Sequence, residues 1–405
     1  MIENTVLLAT MLMVVAWLFR PALRRSTVWI ATVTPLASII GSGFLVVAPL
    51  LAHAIDGWAL PAMTIIVLLA YAIGAVIRFN IRHAEPLLGA DDAPRLLLGV
   101  ERFSDLALGF AYLISVAFYV RLLASFVLRA ADMRSDLYAN LLTTAVLLFI
   151  GLTGLRRGLG GLERLEEYAV NVKLAIIVAL LLGLAWFDAD LVLGGGQVAV
   201  TTPIDDWVHA ARLLAGILLV VQGFETSRYL SEAYDAEMRI RTMRRAQIIS
   251  GLIYIVFVAL ATPLLAAFHG SRDETAIISM SAQVAAVLPA MLVVAAVMSQ
   301  FSAAVADTAG GGGLLSELSQ RRVSLYRSYL LVVLAAIGVV WSANIFEIIV
   351  LASRAFAFYY FLQCLVGLVA STRAEGLKNS PLWRTYLALM AVVLLLVVLF
   401  ATPDP

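Results

Sequence analysis

Charged side chains are scarce: Asp, Glu, Lys and Arg make up 14% of the 405 residues, where a soluble domain carries about 25%. That shortage excludes a water-solvated surface over most of the chain. Cysteine is nearly missing too. The single Cys364 falls inside a late apolar stretch, so no internal disulfide is possible. Histidine is confined to His53, His83, His209 and His269, at stretch ends or in loops without ligand spacing, so neither a metal nor another cofactor is expected. Polar linkers, low-complexity tracts and long charge blocks are also missing, which leaves no soluble domain to separate from the rest.

Apolar residues fill 62% of the chain, in runs long enough for membrane-spanning helices of about 20 residues. They are too long, and lack the dyad alternation, for barrel strands of about ten residues. The expected fold is therefore an all-α polytopic membrane protein, with the lipid bilayer as its chief partner. Twelve stretches fit, at 4–20, 28–53, 58–80, 103–128, 136–154, 167–187, 207–232, 246–268, 276–308, 326–342, 344–371 and 382–402. On this threading one set of loops holds nearly all the basic residues, among them Arg20, Arg24, Arg25, Arg82, Arg95, Arg156, Arg157, Arg164, Arg239, Arg241, Arg321 and Arg322. The opposite set holds little beyond Arg129, Arg134 and Arg272. The bias makes the first set cytoplasmic and puts both termini outside, in the inner (plasma) membrane of a bacterial cell. Met1 to Asn4 lack the basic region of a secretory signal, so the first stretch reads as a retained helix.

Two stretches break in the middle at small, flexible residues: Ser38-Ile39-Ile40-Gly41-Ser42-Gly43-Phe44 and Leu219-Val220-Val221-Gln222-Gly223-Phe224-Glu225-Thr226-Ser227. A spanning helix that unwinds leaves backbone groups without partners, tolerated only where a ligand, an ion or water takes their place. Paired breaks are the sequence pointer to a transporter's solute site. With residues 1–25 set aside as an extra helix, they fall in the first and sixth core helices. That divides the chain into repeats at 28–187 and 207–371, with a further helix at 382–402. Gly41, Ser42 and Gly43, loosened by Pro35, offer N–H groups suited to a carboxylate or other anion; tight helix packing is the plainer reading of the same residues. Gln222, Gly223 and Phe224 form the matching contact set, and Tyr119 is the aromatic candidate on the third core helix.

Lys173 lies inside an apolar span, where a lysine costs roughly 2.5–3.5 kcal/mol on insertion scales. It should face the bundle interior with oxygen partners and titrate reversibly, unless it snorkels to the interface. Ser299 and Ser302, one turn apart, are the partners expected on the eighth core helix. Glu225 and Arg228 are spaced to pair with each other. Arg121 and Arg354 lack sequence-local partners and could meet an anionic solute or neutralise Asp307 or Glu347. Gly310 to Gly313 has the glycine density of a phosphate cradle but lacks the following Lys-Ser/Thr, so helix bending or close packing fits better. His83, Asp91 and Asp92 share one loop and keep a membrane-embedded transferase as the alternative of another class.

The string Ile40-Gly41-Ser42-Gly43-Phe44 resembles the first-helix signature of the amino acid–polyamine–organocation (APC) superfamily. Gly223-Phe224-Glu225, Glu232 and Arg245-Ala246 resemble its sixth-helix run, and Asn171-Val172-Lys173-Leu174 its fifth-helix pattern. The resemblance implies a LeuT-like five-plus-five inverted repeat and a secondary transporter of amino acids or related amines. It places Lys173 where sodium-coupled relatives hold sodium, bridging the first and eighth core helices, which implies proton coupling or exchange. Ala295 to Ser299 also resembles sodium/solute symporters of the same fold, the runner-up. The chain departs from the pattern at Arg78 to Pro86 and lacks an Asn-Pro pair after Glu232, so substrate class transfers weakly.

Overall fold

The protein is described from a computed structural model over residues 2–41, 43–133, 135–195, 204, 206–231, 233–265, 275–373 and 380–402. Ser42, Glu232, Arg134, His269 and Arg272 lie outside the described residues. Within them every regular element is helical: α1 (Ile2–Leu18), α2 (Pro21–Arg24), α3 (Thr27–Ile39), α4 (Phe44–Ile55), α5 (Ala59–His83), α6 (Glu85–Leu88), α7 (Arg95–Ala130) and α8 (Asp136–Arg157). Then come α9 (Gly160–Leu193), α10 (Trp207–Gly216), 3-10 turns at Leu218–Val221 and Phe224–Leu230, α11 (Ala236–Leu265), α12 (Ala276–Val284), α13 (Leu288–Leu318), α14 (Leu325–Ser342), α15 (Ile345–Arg373) and α16 (Ser380–Phe400).

Ten helices among the described residues are long and apolar enough to cross a membrane, counting α3 and α4 as one. Two further apolar stretches are α1, at 17 residues, and the interrupted run from α10 to Leu230. The chain is a polytopic membrane protein. One expected span, 276–308, is two helices. Ala285 is extended (φ −159°, ψ 141°) at the end of α12, and Pro289, which has no N–H to give, stands in the first turn of α13. The sequence is apolar on both sides of the interruption, so hydropathy alone does not register it.

Helix ends follow local chemistry. Ser26 accepts from the Trp29 N–H (3.3 Å) to start α3. Asp206 accepts from the N–H groups of Val208 (2.8 Å) and His209 (3.0 Å) to start α10. Gly158, at φ 74°, closes α8 in the left-handed region that favours glycine.

The centre of the bundle is α7, buried from Ser104 to Phe126 along the face that meets α13 and α15. Next to it, α11 packs on α3 and α5, and α9 packs on α13. Helices α8, α14 and α16 lie at the periphery and present Phe149, Leu334 and Leu389 outward, as lipid contact requires. Three glycines of α13 are packing sites inside a continuous helix: Gly310 seats the Tyr112 ring, Gly311 meets the Tyr112 Cβ and Val332, and Gly312 seats Tyr329, while Gly313 faces open space.

Candidate functional site

Both expected breaks are present, and they touch. After Ile39 the regular ladder of α3 stops. Gly41 N–H turns back to Ser38 O (3.1 Å) and leaves Ala37 O, its normal helical partner, for another donor. That donor is Lys173, whose ammonium lies 3.0 Å from Ala37 O. Two more carbonyls of the segment are met from other helices: Tyr254 of α11 approaches Ile39 O at 3.0 Å, and Ser299 of α13 donates to Gly41 O.

The second break runs from Ile217 to Phe224. Gly223 adopts φ 118°, a conformation that L side chains rarely take. Its N–H donates to Glu225 Oε2 (3.0 Å), its carbonyl accepts from the Thr226 hydroxyl (2.7 Å), and Val220 O lies 2.7 Å from the Tyr254 hydroxyl. A side chain at Gly223 would collide with Ser38, and one at Gly43 would collide with the Val220 backbone. The absence of a Cβ at both positions is what lets the two unwound segments lie against each other.

Lys173 does not snorkel. It is 5% exposed and donates to Ser299 Oγ at 3.3 Å as well as to Ala37 O, so it ties α9 to α3 and α13. Ser302, one turn beyond Ser299, is half-buried. Gln222 is buried, and its amide nitrogen donates to the Tyr119 hydroxyl oxygen (3.1 Å), while Oε1 has no hydrogen-bond partner. Phe224 stacks on Tyr360 with ring centroids 5.3 Å apart. The structure thus gathers Gly41, Gly43, Tyr119, Lys173, Gln222, Gly223, Phe224, Glu225 and Ser299 around one contact between broken helices.

The pairing of Glu225 with Arg228 is not what forms. Glu225 folds back onto the Gly223 N–H and accepts from the Tyr360 hydroxyl (2.7 Å). Arg228 instead reaches Glu101 (2.7 Å), Glu85 (3.6 Å) and Gln363 Oε1 (2.6 Å). Arg239 completes this network, 2.6 Å from Glu85 and donating to Arg228 O at 3.0 Å. The carboxylates come from α6 and α7, more than a hundred residues away, and they meet Arg228 while Glu225 is engaged by the Gly223 N–H and the Tyr360 hydroxyl.

The other membrane-depth charges also find remote or local structural partners, and Arg121 and Arg354 pair with neither Asp307 nor Glu347. Arg121 pairs with Asp136 (2.6 Å) and bonds Ser125 (2.6 Å). Arg354 donates to Ala401 O (3.0 Å). Asp307 accepts from Ser115, and Glu347 exchanges hydrogen bonds with Asn344 at the start of α15. Asp91 and Asp92 are exposed, and the His83 ring leans on Phe79 at 4.8 Å, so this loop forms no cluster with them.

Sequence reasoning missed Tyr254, Thr226 and Tyr360 as partners of the breaks. Tyr360 lies in the aromatic run Phe356 to Phe361, where one ring among several carries no distinguishing mark. Tyr254 is one of several polar side chains along α11, and only a backbone carbonyl count at the breaks would have called for a donor there.

Comparison with known proteins is consistent along nearly the whole chain. A family model described as "APC superfamily transporter" matches residues 21–401. An uncharacterized protein of Aquifex aeolicus (strain VF5) is 47% identical over 384 residues, covering 94% of this chain and 92% of its own length.

Proposed function

The chain belongs to the APC superfamily of transporters, and on that premise we propose that it is a secondary active carrier of a small polar solute, an amino acid or related amine. The two breaks are its solute site, and access to them alternates between the two sides of the membrane. The observation that carries the reading is the meeting of two unwound segments deep in the bundle, their carbonyls held by Lys173, Tyr254 and Ser299. Unwound backbone is tolerated at membrane depth where it lines such a site. The buried, unpartnered Oε1 of Gln222 adds an acceptor suited to a solute ammonium.

Lys173, with Ser299 and Ser302, links the first, fifth and eighth core helices and carries a proton, with Glu225 as the buried carboxyl beside the second break. An ammonium bonded to Ala37 O and Ser299 occupies the space and the oxygens that a sodium ion would need. This favours proton coupling or exchange over sodium symport. The repeats run over 28–187 and 207–371, and the arginine-rich loops face the cytoplasm of a bacterial cell. The protein acts as a carrier, not as an enzyme, and returns its solute unaltered.

Uptake into proteoliposomes of radiolabelled amino acids and polyamines, at several pH values with and without sodium, tests the reading. Wild type should accumulate at least one probe intact, with pH dependence and without need of sodium. Lys173→Ala should lower uptake by about tenfold or more and flatten the pH profile, since it deletes two buried hydrogen bonds together with the titrating group. Unchanged uptake with an unchanged profile would sink the proton role of Lys173.

A further inference from the structure

We propose that Tyr254 is the positioning residue of the site: its hydroxyl, set between Ile39 O and Val220 O, fixes the separation at which the two unwound segments face each other. The inference rests on the reading of the breaks as the solute site. Tyr254 stands on α11, fully buried, with its oxygen 3.0 Å from Ile39 O and 2.7 Å from Val220 O. One carbonyl belongs to the end of α3 and the other to the 3-10 turn before Gly223, the two places where regular helical bonding lapses. A phenol has a single proton. It can serve both carbonyls only while they stay within reach of one oxygen, so any motion that parts the segments strips at least one of them.

Among the described residues, the polar side chains beside it on α11 donate elsewhere. Ser250 donates to Ala246 O (2.8 Å) and Gln247 to Ala70 O (2.8 Å). The adjoining void, lined by Ile39, Val67, Val221, Ser250 and Tyr254, measures about 10 Å³, room for about one water. The ring itself is braced, because Phe44 meets Tyr254 edge-on at 5.7 Å and is backed by Phe257 at 4.4 Å. The hydroxyl therefore has a fixed address, and Gly41 to Gly43 and Gln222 to Phe224 are presented at the spacing it sets.

Hydrogen–deuterium exchange of the full chain in lipid nanodiscs tests this without a solute. Tyr254→Phe should speed amide exchange in both 37–45 and 217–224 by about tenfold, the effect of one lost buried hydrogen bond, and leave the other helices as protected as in wild type. Phe257→Leu loosens the packing on Phe44 but keeps the hydroxyl, and should leave 217–224 unchanged. Protection equal to wild type in either segment of Tyr254→Phe, or the same pattern in Phe257→Leu, overturns the proposal. If labelled alanine, glutamate, arginine or putrescine is taken up by wild type, Tyr254→Phe should raise its KM about fivefold with little change in maximal rate. An unchanged KM with a lowered maximal rate would also overturn it. If wild type takes up none of these probes, the transport reading fails and the exchange result still decides the role of Tyr254.

Discussion

Gly43 and Gly223 show how much a missing side chain can specify. Each lies where a Cβ would enter the other broken segment, and Gly223 also holds φ 118°. Gly223→Ala should therefore cost about 1–3 kcal/mol in backbone strain alone, lowering the thermal midpoint in detergent and abolishing uptake. Replacing Ser38 by alanine should not rescue it, because the Ser38 backbone lies in the way as well as its hydroxyl. Gly99 is the contrast: it is helical, exposed and faces open space. Gly99→Ala should leave uptake unchanged and raise stability by up to about 1 kcal/mol. Both breaks were legible in the sequence because glycine clusters inside apolar runs are costly without a purpose, and Lys173 was legible for the same reason. The partners of the arginines were not. Arg228 meets Glu85 and Glu101, and no local spacing rule reaches across that many residues.

Side-chain caps start α3, α8 and α10, and the second broken stretch depends on the last of them. Asp206 caps α10, the half-helix that leads into the break; the His209 N–H, followed by that of Val208, holds its carboxyl below the usual carboxylate range. A carboxyl depressed in the folded state stabilises above its unfolded pKa, and the contribution fades as pH falls through the folded value. Thermal unfolding of wild type and Asp206→Ala should thus differ at neutral pH and converge in acid; a constant difference would remove the charge from the explanation. The division of 276–308 into α12 and α13 lay beyond hydropathy because Ala285, Ala286 and Val287 are as apolar as their neighbours. Only Pro289 hinted at a new helix start there, and Pro is tolerated in membrane helices often enough to be passed over.

Across the whole molecule, buried ions do the long-range joining. Arg228, Arg239, Glu85, Glu101 and Gln363 connect the segment after the second break to α6, α7, α11 and α15. Arg228→Gln strands the Glu101 carboxylate, which is only partly exposed, while Glu85 keeps Arg239, and should destabilise by about 3–5 kcal/mol. Adding Glu101→Gln should recover part of that loss, which a double-mutant cycle of thermal midpoints reads directly; strict additivity would mean that the two side chains do not interact. The count and order of apolar stretches were legible because lipid allows few alternatives to helices, whereas which helices touch was settled by pairs distant in sequence. α1 illustrates the difference. It packs along α9, where Leu7 lies over Gly183, and its Asn4 accepts from the Val287 N–H (3.3 Å) between α12 and α13. Each of these partners is made much later than α1 itself. At translation rates of about 5–20 residues per second, α1 must wait in the bilayer for roughly ten to thirty seconds before its groove on α9 exists. It has to remain a stable, unattached helix for that interval, and its Asn4 has to wait longer still for the Val287 N–H.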